Sequence, residues 1–405
     1  MKYIQAYLQR LQELDDQQLL RHLKLAESPC DTRMQIDGRS MLTFCSNDYL
    51  GLANHPDVCA ALEKGLRLYG AGSGASHLIS GHSHAHEALE IALGKTQAAH
   101  IPECTAMYFS TGYMANLAAI TALTIPWTVD DSVAIFSEEL NHASLIDGVR
   151  LAKQQNKADS FVYAHNDMDG LEQLLKASSH SQKLIVTDGV FSMDGDLAPV
   201  RDLLDLAKRY DALLFVDDAH GFGVLGQNGH GILEHLALSE ADTAAHLIYM
   251  GTLGKAAGVS GAFVAAHHTF TEWLLQKSRS YIYTTASPPH LAHALLSSLH
   301  LIEQSPLRER LQANIALFKK SLQLQHWSLM ASDTAIQPIV IGENGMALQV
   351  AQQLLELGVW VPAIRPPTVP KNTARLRITL SAAHSTEDIQ KLVQYLMQIE
   401  SDLYA

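Results

Sequence analysis

Three apolar runs in the middle of the chain decide its fold: KLIVTDGVF (183–191), ALLFVDDAH (212–220) and HLIYMGT (246–252). Each is rich in the β-branched and aromatic residues that favour strands. Similar runs, separated by helical patterns, lie on either side: AMYFS (106–110), VAIFSE (133–138), SFVYAH (160–165) and SGAFVAA (260–266). This alternation predicts an α/β fold in which helices cover both faces of a mainly parallel sheet.

Polar or small residues end or closely follow most of these runs. They are Ser110, His142, His165, Ser192, His220 and Thr252. Because ligands of open α/β sheets bind beyond the carboxyl ends of the strands, we expect these residues to converge on one site.

The chain of 405 residues exceeds the size at which a single hydrophobic core usually stops growing. After residue 290 a long helical stretch reaches about residue 323, and strand and helix patterns follow it, among them a single strand over residues 359–366. These patterns predict a smaller C-terminal α+β lobe that a last amphipathic helix closes. We therefore expect an N-terminal helical arm (1–50), a large domain (51–290) and a small domain (291–405).

Composition narrows the class of partner. A formal net charge of -13 without a basic run disfavours nucleic acid and anionic lipid, and the apolar runs are too short to span a membrane. The N-terminal residues are too polar for a secretory signal, and the four cysteines are widely spaced. We expect a soluble cytoplasmic protein that acts on a small molecule.

Lys255 lies between small residues just after a strand pattern, in GTLGKA (251–256). A lysine that is poorly solvated there can lose its proton near neutral pH and form a Schiff base. A solvated lysine in a turn is the alternative, whereas a P-loop would need different residues at 249 and 256. Asp217 favours the first interpretation, because a buried carboxylate at a strand end could keep the pyridine nitrogen of a cofactor protonated.

Two further residue groups suit a phosphorylated pyridine cofactor. Gly112 and Tyr113 open a predicted helix at a strand end, where free N–H groups and the helix dipole could bind phosphate. His142 could stack on the pyridine ring, and His220 could bond its phenolic oxygen. Taken singly, each group is also compatible with a plain turn, a helix cap or a surface histidine.

The string His82-Ser83-His84-Ala85-His86 has the composition of a metal site. It runs into a helical pattern, so we expect the rings to be scattered and to lack acidic partners. No metal ion is expected here.

Motifs spread along nearly the whole chain resemble those of the α-oxoamine synthases. They are SNDYLGL (46–52), GSGAS (72–76), NHASL (141–145), TDGVFSMDGD (187–196), VDDAHGFGVLG (216–226) and TLGKA (252–256). The resemblance implies a fold-type-I transferase that depends on pyridoxal 5'-phosphate and forms a homodimer with its active sites at the subunit interface.

The resemblance also implies a role for individual residues. Lys255 matches the Schiff-base lysine, Asp217 the partner of the pyridinium nitrogen, and His142 the stacking histidine. The remaining cofactor contacts would be Gly112, Tyr113, Ser192, His220, Thr252 and, from the neighbouring subunit, Thr284 or Thr285, of which we choose Thr285. Arg21, Arg365 and Thr368 fall where relatives contact substrate, together with His142.

The string AIRPPTVP (363–370) and the residues after it resemble the branch that condenses L-alanine with pimeloyl-CoA or pimeloyl-[acyl-carrier protein]. The alternatives are a glycine C-acetyltransferase, an aminotransferase and a non-catalytic cofactor-binding subunit. Non-catalytic subunits of this kind lack the Schiff-base lysine, which is present here as Lys255. Asp188 departs from the family pattern, which commonly has glutamate there, and we expect only modest kinetic consequences.

Overall fold

The computed structural model describes residues 1–17 and 19–405. The helices, in chain order, are α1 (Lys2–Asp16), α2 (Pro56–Tyr69), α3 (His84–Gln97), α4 (Gly112–Leu123), α5 (Ala143–Asn156), α6 (Met168–Ala177), α7 (Val200–Arg209), α8 (Ile232–His235), α9 (Glu240–Thr243), α10 (His268–Lys277), α11 (Arg279–Ile282), α12 (Pro289–Gln304), α13 (Leu307–Ser321), α14 (Asn344–Glu356) and α15 (Thr386–Tyr404). A π-helical turn, His77–Gly81, precedes α3.

The strands, in chain order, are β1 (Arg33–Ile36), β2 (Arg39–Thr43), β3 (Cys104–Phe109), β4 (Val133–Glu138), β5 (Asp159–Tyr163), β6 (Gln182–Asp188), β7 (Leu213–Asp217), β8 (Leu247–Thr252), β9 (Ala262–His267), β10 (Ser328–Leu329), β11 (Ile336–Gly342), β12 (Val359–Trp360), β13 (Ala363–Ile364) and β14 (Ala374–Thr379).

The central sheet has seven strands in the spatial order β3-β9-β8-β7-β6-β4-β5. Strand β9 runs antiparallel to both of its neighbours, and the other paired strands are parallel. Every strand predicted for this region is present, so the predicted mainly parallel α/β sheet is confirmed.

Both faces of the sheet are buried. Along β7, Leu214 and Val216 join one apolar cluster, while Phe215 joins the other. Strand β8 alternates in the same way, with Tyr249 in the first cluster and Met250 in the second. This explains why the strands read as continuous apolar runs, since a sheet covered on both sides leaves no strand face to solvent.

The small lobe contains the predicted C-terminal elements around an antiparallel sheet of order β10-β11-β14-β13. The run 359–366 was predicted as one strand but forms two short ones, β12 and β13, in different sheets. Pro362 lies between them and cannot donate a ladder hydrogen bond. The helical stretch predicted to about 323 is also divided, at Pro306, into α12 and α13.

The N-terminal region is only partly helical. Residues 33–43 form the hairpin of β1 and β2, and β2 pairs in parallel with β12 of the small lobe. This hairpin was not predicted, although its two-residue turn Asp37-Gly38, with positive φ at both residues, is a typical hairpin signal. Only the pairing of β2 with β12 joins residues more than 300 positions apart in the sequence. The domain boundaries near residues 50 and 290 stay a prediction.

Among the described residues, no helix has the length and apolar character that a bilayer crossing requires.

Candidate active site

Two carboxylates lie side by side at the carboxyl edge of the sheet. Asp188 ends β6, Asp217 ends β7, and the two residues are direct neighbours in the parallel ladder. Both side chains are buried. Burial, followed by the charge of Asp217, raises the pKa of Asp188 well above its usual value. Strand pairing alone therefore concentrates acidic groups where the topology predicts a site.

Lys255 lies in the loop from β8 to β9 and reaches into this group of residues. Its Nζ is 2.7 Å from His220 Nε2, and His220 Nδ1 is 2.5 Å from the Tyr49 hydroxyl. Tyr49 in turn donates to Asn47 Oδ1 at 3.3 Å. The chain of bonds is satisfied when the lysine donates to Nε2 and the Nδ1–H of His220 donates to Tyr49. This arrangement fixes the direction in which the amine points.

The surroundings of Lys255 weaken its hold on a proton. Burial lowers its pKa to about 8, against the opposing charges of Asp217 and Asp188. Burial, with the Lys255 charge second, also lowers the pKa of His220 well below its usual value, so the imidazole is neutral at pH 7. A neutral amine is therefore accessible near physiological pH, as nucleophilic or basic lysine chemistry requires.

A second hydrogen-bonded chain connects Asp217 to His142. Asn116 Nδ2 donates to Asp217 Oδ2 at 2.6 Å and to Ser144 Oγ at 2.8 Å. Ser144 Oγ lies 2.7 Å from His142 Nδ1, and the His142 backbone N–H donates to Asp188 Oδ2 at 2.6 Å. The ring of His142 is thus oriented from one side and its backbone from the other. Burial lowers the pKa of His142, while Asp217 opposes the shift.

The N-terminus of α4 is placed as predicted, directly after β3. Thr111 caps it by accepting the N–H of Met114 at 3.2 Å. A Cβ added at Gly112 would lie 3.8 Å from Thr252 Oγ1, so the first turn of α4 and the end of β8 are close neighbours. The Tyr113 hydroxyl donates to Asp147, so this hydroxyl is already engaged, whereas its backbone N–H lies at the helix end.

Ser192 is tied to an arginine that was not predicted. Arg377 Nε donates to the Ser192 carbonyl at 2.6 Å, and its NH1 donates to Asn47 Oδ1 at 3.3 Å. Arg377 is only 6% exposed, and its charge acts on both Lys255 and His220. A buried guanidinium beside the lysine is a strong candidate for holding a substrate carboxylate.

The fold brings the predicted substrate contact Arg21 close to Arg365 and Thr368, which lie more than 300 residues further along the sequence. They line one cavity of about 670 Å³ between the N-terminal segment and the small lobe. Thr368 donates its backbone N–H to the Arg365 carbonyl at 3.1 Å. Thr285 lies apart from them and is exposed. Its assignment to the neighbouring subunit's phosphate stays a prediction.

The residues that sequence reasoning missed are Asn47, Tyr49, Asn116 and Arg377. Asn47 and Tyr49 lie inside the quoted motif SNDYLGL, and Arg377 lies in a strand pattern where it reads as a solvent-facing charge. The sequence ARLRI (374–378) alternates arginine with apolar residues, as a half-buried strand does, so it gave no signal that Arg377 is buried. Asn116 gave no signal either, because amides are common on helices.

His165 joins the carboxyl ends of three elements next to this site. Its Nδ1 is 2.7 Å from Glu138 Oε1, at the end of β4, and its Nε2 is 2.9 Å from Asp196 Oδ2, in the loop after β6. These hydrogen bonds, with Asp196 the larger cause, raise the pKa of His165 to about 10. The charged imidazole therefore fastens the loop that carries Ser192.

We expect His165→Gln to lower the free energy of unfolding at pH 7 by about 2 kcal/mol, because it leaves the Glu138 carboxylate buried without its cation. An unfolded histidine titrates near pH 6.5, so the stabilisation is complete below that pH and is lost as the pH rises towards 10. Urea unfolding at pH 7, 8 and 9 should show the wild type losing its advantage over the variant. Parallel stabilities across this range would contradict the assignment.

The histidine string is arranged differently from the prediction. The rings of His82 and His86 stack with centroids 5.5 Å apart, and His77 lies beside both. Acidic partners are also close, since His82 Nε2 is 3.3 Å from Glu87 Oε2. The expectation of scattered rings without acidic partners was wrong, because His82 precedes α3 and His86 and Glu87 lie in its first turn.

Comparison with known proteins agrees with this geometry. The family model of aminotransferase class I and II matches residues 39–396. A solved structure of serine palmitoyltransferase (SPT) with pyridoxal phosphate superimposes with a TM-score of 0.88 at 28% identity, covering 99% of this chain and 98% of that one. Fold and site together define a pyridoxal-phosphate-dependent transferase of fold type I.

Two further relatives, one compared by sequence and one by structure, identify the group within this family. The 8-amino-7-oxononanoate synthase of Janthinobacterium sp. (strain Marseille) is 56% identical over 402 residues, which cover 98% of this chain and 99% of that protein. The solved 8-amino-7-oxononanoate synthase of Francisella tularensis is 30% identical, with a TM-score of 0.72 over 90% of this chain and 99% of that one. The chain belongs to the aminotransferase class I and II family and, within it, to the 8-amino-7-oxononanoate synthases.

Proposed function

We propose that the chain condenses L-alanine with a pimeloyl thioester to form 8-amino-7-oxononanoate, carbon dioxide and a free thiol, as a cytoplasmic enzyme of biotin biosynthesis. The observation that carries this proposal is the pairing of Lys255 Nζ with His220 Nε2 at 2.7 Å, next to Asp217, in a chain 56% identical to a synthase of this name.

The residues present fit pyridoxal 5'-phosphate. Asn116 Oδ1 is buried without a hydrogen-bond partner while its Nδ2 holds Asp217, as expected at the wall of a ligand site. Asp217 would hold the pyridine nitrogen, the α4 N-terminus with Thr252 would hold the phosphate, and Lys255 would bind the aldehyde carbon. When bound, the cofactor supplies an electron sink for the charge that develops at the α-carbon of the amino acid.

Lys255 is the group that moves protons. With a pKa lowered by burial to about 8, its amine can take the α-proton of alanine at Nζ and later return a proton to the product. His220 stays neutral and accepts a hydrogen bond from Nζ, so it orients the amine without competing for the proton. His142 faces the same region and would hold the reacting plane by stacking.

Two arginines can hold the alanine carboxylate. Arg365 was predicted from the sequence, and it lines the cavity with Arg21. Arg377 lies deeper, since it is buried and its Nε donates to the Ser192 carbonyl. We propose that Arg377 binds the alanine carboxylate at the reacting centre. Arg365, with Arg21 and Thr368, would contact the incoming acyl thioester or the outer side of the same carboxylate.

We expect Arg365→Ala to raise the KM for L-alanine or for the thioester about tenfold to a hundredfold, because a charge-assisted hydrogen bond is lost. Arg377→Lys should raise the KM for L-alanine at least as much, since a single ammonium cannot reproduce the two-pronged hydrogen bonding of a guanidinium to a carboxylate. Steady-state kinetics with each substrate varied in turn measure both effects. An unchanged KM for both substrates in Arg365→Ala would remove Arg365 from substrate binding.

We also propose that the chain acts as a homodimer. Within the described helix α1, no side chain is buried, and its apolar residues Ile4, Leu8 and Leu11 are exposed. Exposed Thr285 would then contact the cofactor phosphate of the second copy. Analytical ultracentrifugation of the wild type and of a Leu8→Glu variant tests this, since a dimer held by α1 should weaken in the variant.

The proposed function is tested by incubating the purified protein with pyridoxal phosphate, L-alanine and pimeloyl-CoA or pimeloyl-[acyl-carrier protein], with product detection by mass spectrometry. Formation of 8-amino-7-oxononanoate with either carrier supports the proposal, and the faster carrier identifies the physiological one. Turnover of glycine with acetyl-CoA but not of L-alanine with either pimeloyl thioester would identify a glycine C-acetyltransferase instead.

A further inference from the structure

A second group of ligating side chains lies outside the active site, where the π-helical turn meets α3. His82 Nε2 is 3.3 Å from Glu87 Oε2 and 3.8 Å from Glu90 Oε2. We propose that His82, Glu87 and Glu90 form a binding site for one divalent transition-metal ion of the Zn²⁺ type, with water completing the coordination.

The distances suit a shared ion. Zinc binds imidazole nitrogen and carboxylate oxygen at about 2.1 Å, so two ligands on one ion lie roughly 3.0–3.5 Å apart. The His82–Glu87 separation is already in this range, and the His82–Glu90 separation exceeds it by a few tenths of an ångström. Glu87 and Glu90 are three residues apart on α3 and therefore share a face.

A neighbouring histidine sets the tautomer of His82. His77 Nδ1 is 3.2 Å from His82 Nδ1, which is satisfied when the Nδ1–H of His82 donates to His77. The lone pair of His82 Nε2 then points at the two carboxylates. His77 is itself held by stacking on Tyr281, with centroids 4.4 Å apart. Such a support of the second ring nitrogen is typical of metal-binding histidines.

His86, which lies close to His77 and His82, already uses both of its ring nitrogens in hydrogen bonds. His86 Nδ1 accepts the Ser83 backbone N–H at 3.0 Å, and its Nε2 lies 2.8 Å from the Ser287 carbonyl. Both nitrogens therefore have partners, so a site of three histidines would cost two existing bonds. This favours the set of one histidine and two glutamates.

Glu90 is the ligand that most needs a cation. Its Oε1 accepts the Tyr108 backbone N–H at 2.8 Å, and its Oε2 faces His82. The Glu90 side chain is only 16% exposed, so a positive charge beside Oε2 would stabilise the carboxylate. A cavity of about 440 Å³, lined by His82, Glu87 and Glu90, gives an ion and its water room to enter.

The turn that presents His82 is tightly held without the ion. A Cβ added at Gly81 would lie 2.2 Å from the Ala75 carbonyl oxygen, so only glycine permits this approach. The His82 ligand is therefore positioned by the backbone before binding. An ion would fasten the turn to α3, and through His77 and Tyr281 to the segment before Thr285.

The experiment is a calorimetric titration of the chelator-treated holoenzyme with ZnSO₄, together with thermal unfolding with and without zinc. We expect one Zn²⁺ per chain and a higher Tm with zinc. His82→Gln and Glu90→Gln should each weaken binding about tenfold or more and abolish the Tm increase. His84→Gln, in the same string but exposed and outside the group, is the matched control and should bind as the wild type does.

A second cluster, Glu103, His267 and His268, offers the ion an alternative place. Zinc binding that survives His82→Gln and Glu90→Gln but is lost in His268→Gln would overturn the proposal, as would the absence of binding by the wild type. Circular dichroism of each variant separates lost binding from lost folding. Because none of these measurements uses turnover, their outcome is independent of the proposed synthase activity.

Discussion

Lys255→Ala should reduce turnover by at least about 10³-fold, which is the largest effect expected of any single substitution in this chain. In the proposed mechanism Lys255 both binds the cofactor and transfers a proton. Among the described residues, no second amine is paired with His220. The measurement is single-turnover product formation with L-alanine and pimeloyl-CoA. A parallel mass measurement after borohydride reduction and denaturation should find the cofactor attached to the wild type and absent from the variant.

A matched control for this variant is Lys277→Ala, which removes a lysine that lies over the Trp273 ring, far along α10. Its turnover and cofactor attachment should equal those of the wild type. Near-normal turnover in Lys255→Ala would remove Lys255 from the mechanism. Retained attachment in that variant would show that another amine binds the cofactor.

Asp217→Asn should lower kcat by about 10²- to 10⁴-fold while changing stability little. The carboxylate charge that would keep the pyridine nitrogen protonated is lost, but the shape of the side chain is conserved. Asn116 can rotate its amide so that Oδ1, which now has no hydrogen-bond partner, accepts from the new amide. The hydrogen bond from the Ala219 backbone N–H to Oδ1 of residue 217, 2.9 Å long in the wild type, is also retained.

The adjacent residue gives the opposite expectation. Asp218 Oδ2 accepts the Ile232 N–H at 2.7 Å and the Tyr249 hydroxyl at 2.8 Å. Asp218→Ala leaves two buried donors unpaired and should lower the free energy of unfolding by about 2–4 kcal/mol. Comparing kcat and urea midpoints of the two variants separates the chemical aspartate from the structural one. Full activity in Asp217→Asn would refute its role beside the pyridine nitrogen.

The large sheet was predictable because its signal is local. Each strand is an apolar run that both faces of the sheet bury, and each ends at a polar residue, so strands could be found one at a time. The hairpin of β1 and β2 lacked this signal. It is amphipathic, short and completed by β12, which lies more than 300 residues away in the sequence.

The candidate site was predictable where a residue follows a strand and not where tertiary packing delivers it. Lys255, Asp217, His220 and His142 all lie at the ends of strands or in the loops that follow them, so the topology alone gathers them. Arg377 and Tyr49 enter from the small lobe and the N-terminal segment, and no spacing in the sequence relates them to Lys255. Such contacts depend on how the lobes pack, which a pattern of strands does not contain.

The loop between β8 and β9 separates the position of Lys255 from its reactivity. Leu253 N–H donates to the Gly261 carbonyl at 2.8 Å and Val259 N–H to the Leu253 carbonyl at 3.1 Å, so the loop is closed by its own residues between two adjacent antiparallel strands. The pKa of the amine depends first on its burial and then on the charges of Asp217, Asp188 and Arg377, which belong to other strands. Substitutions in those strands can therefore tune the working pH of the enzyme while the backbone that presents the amine remains where it is.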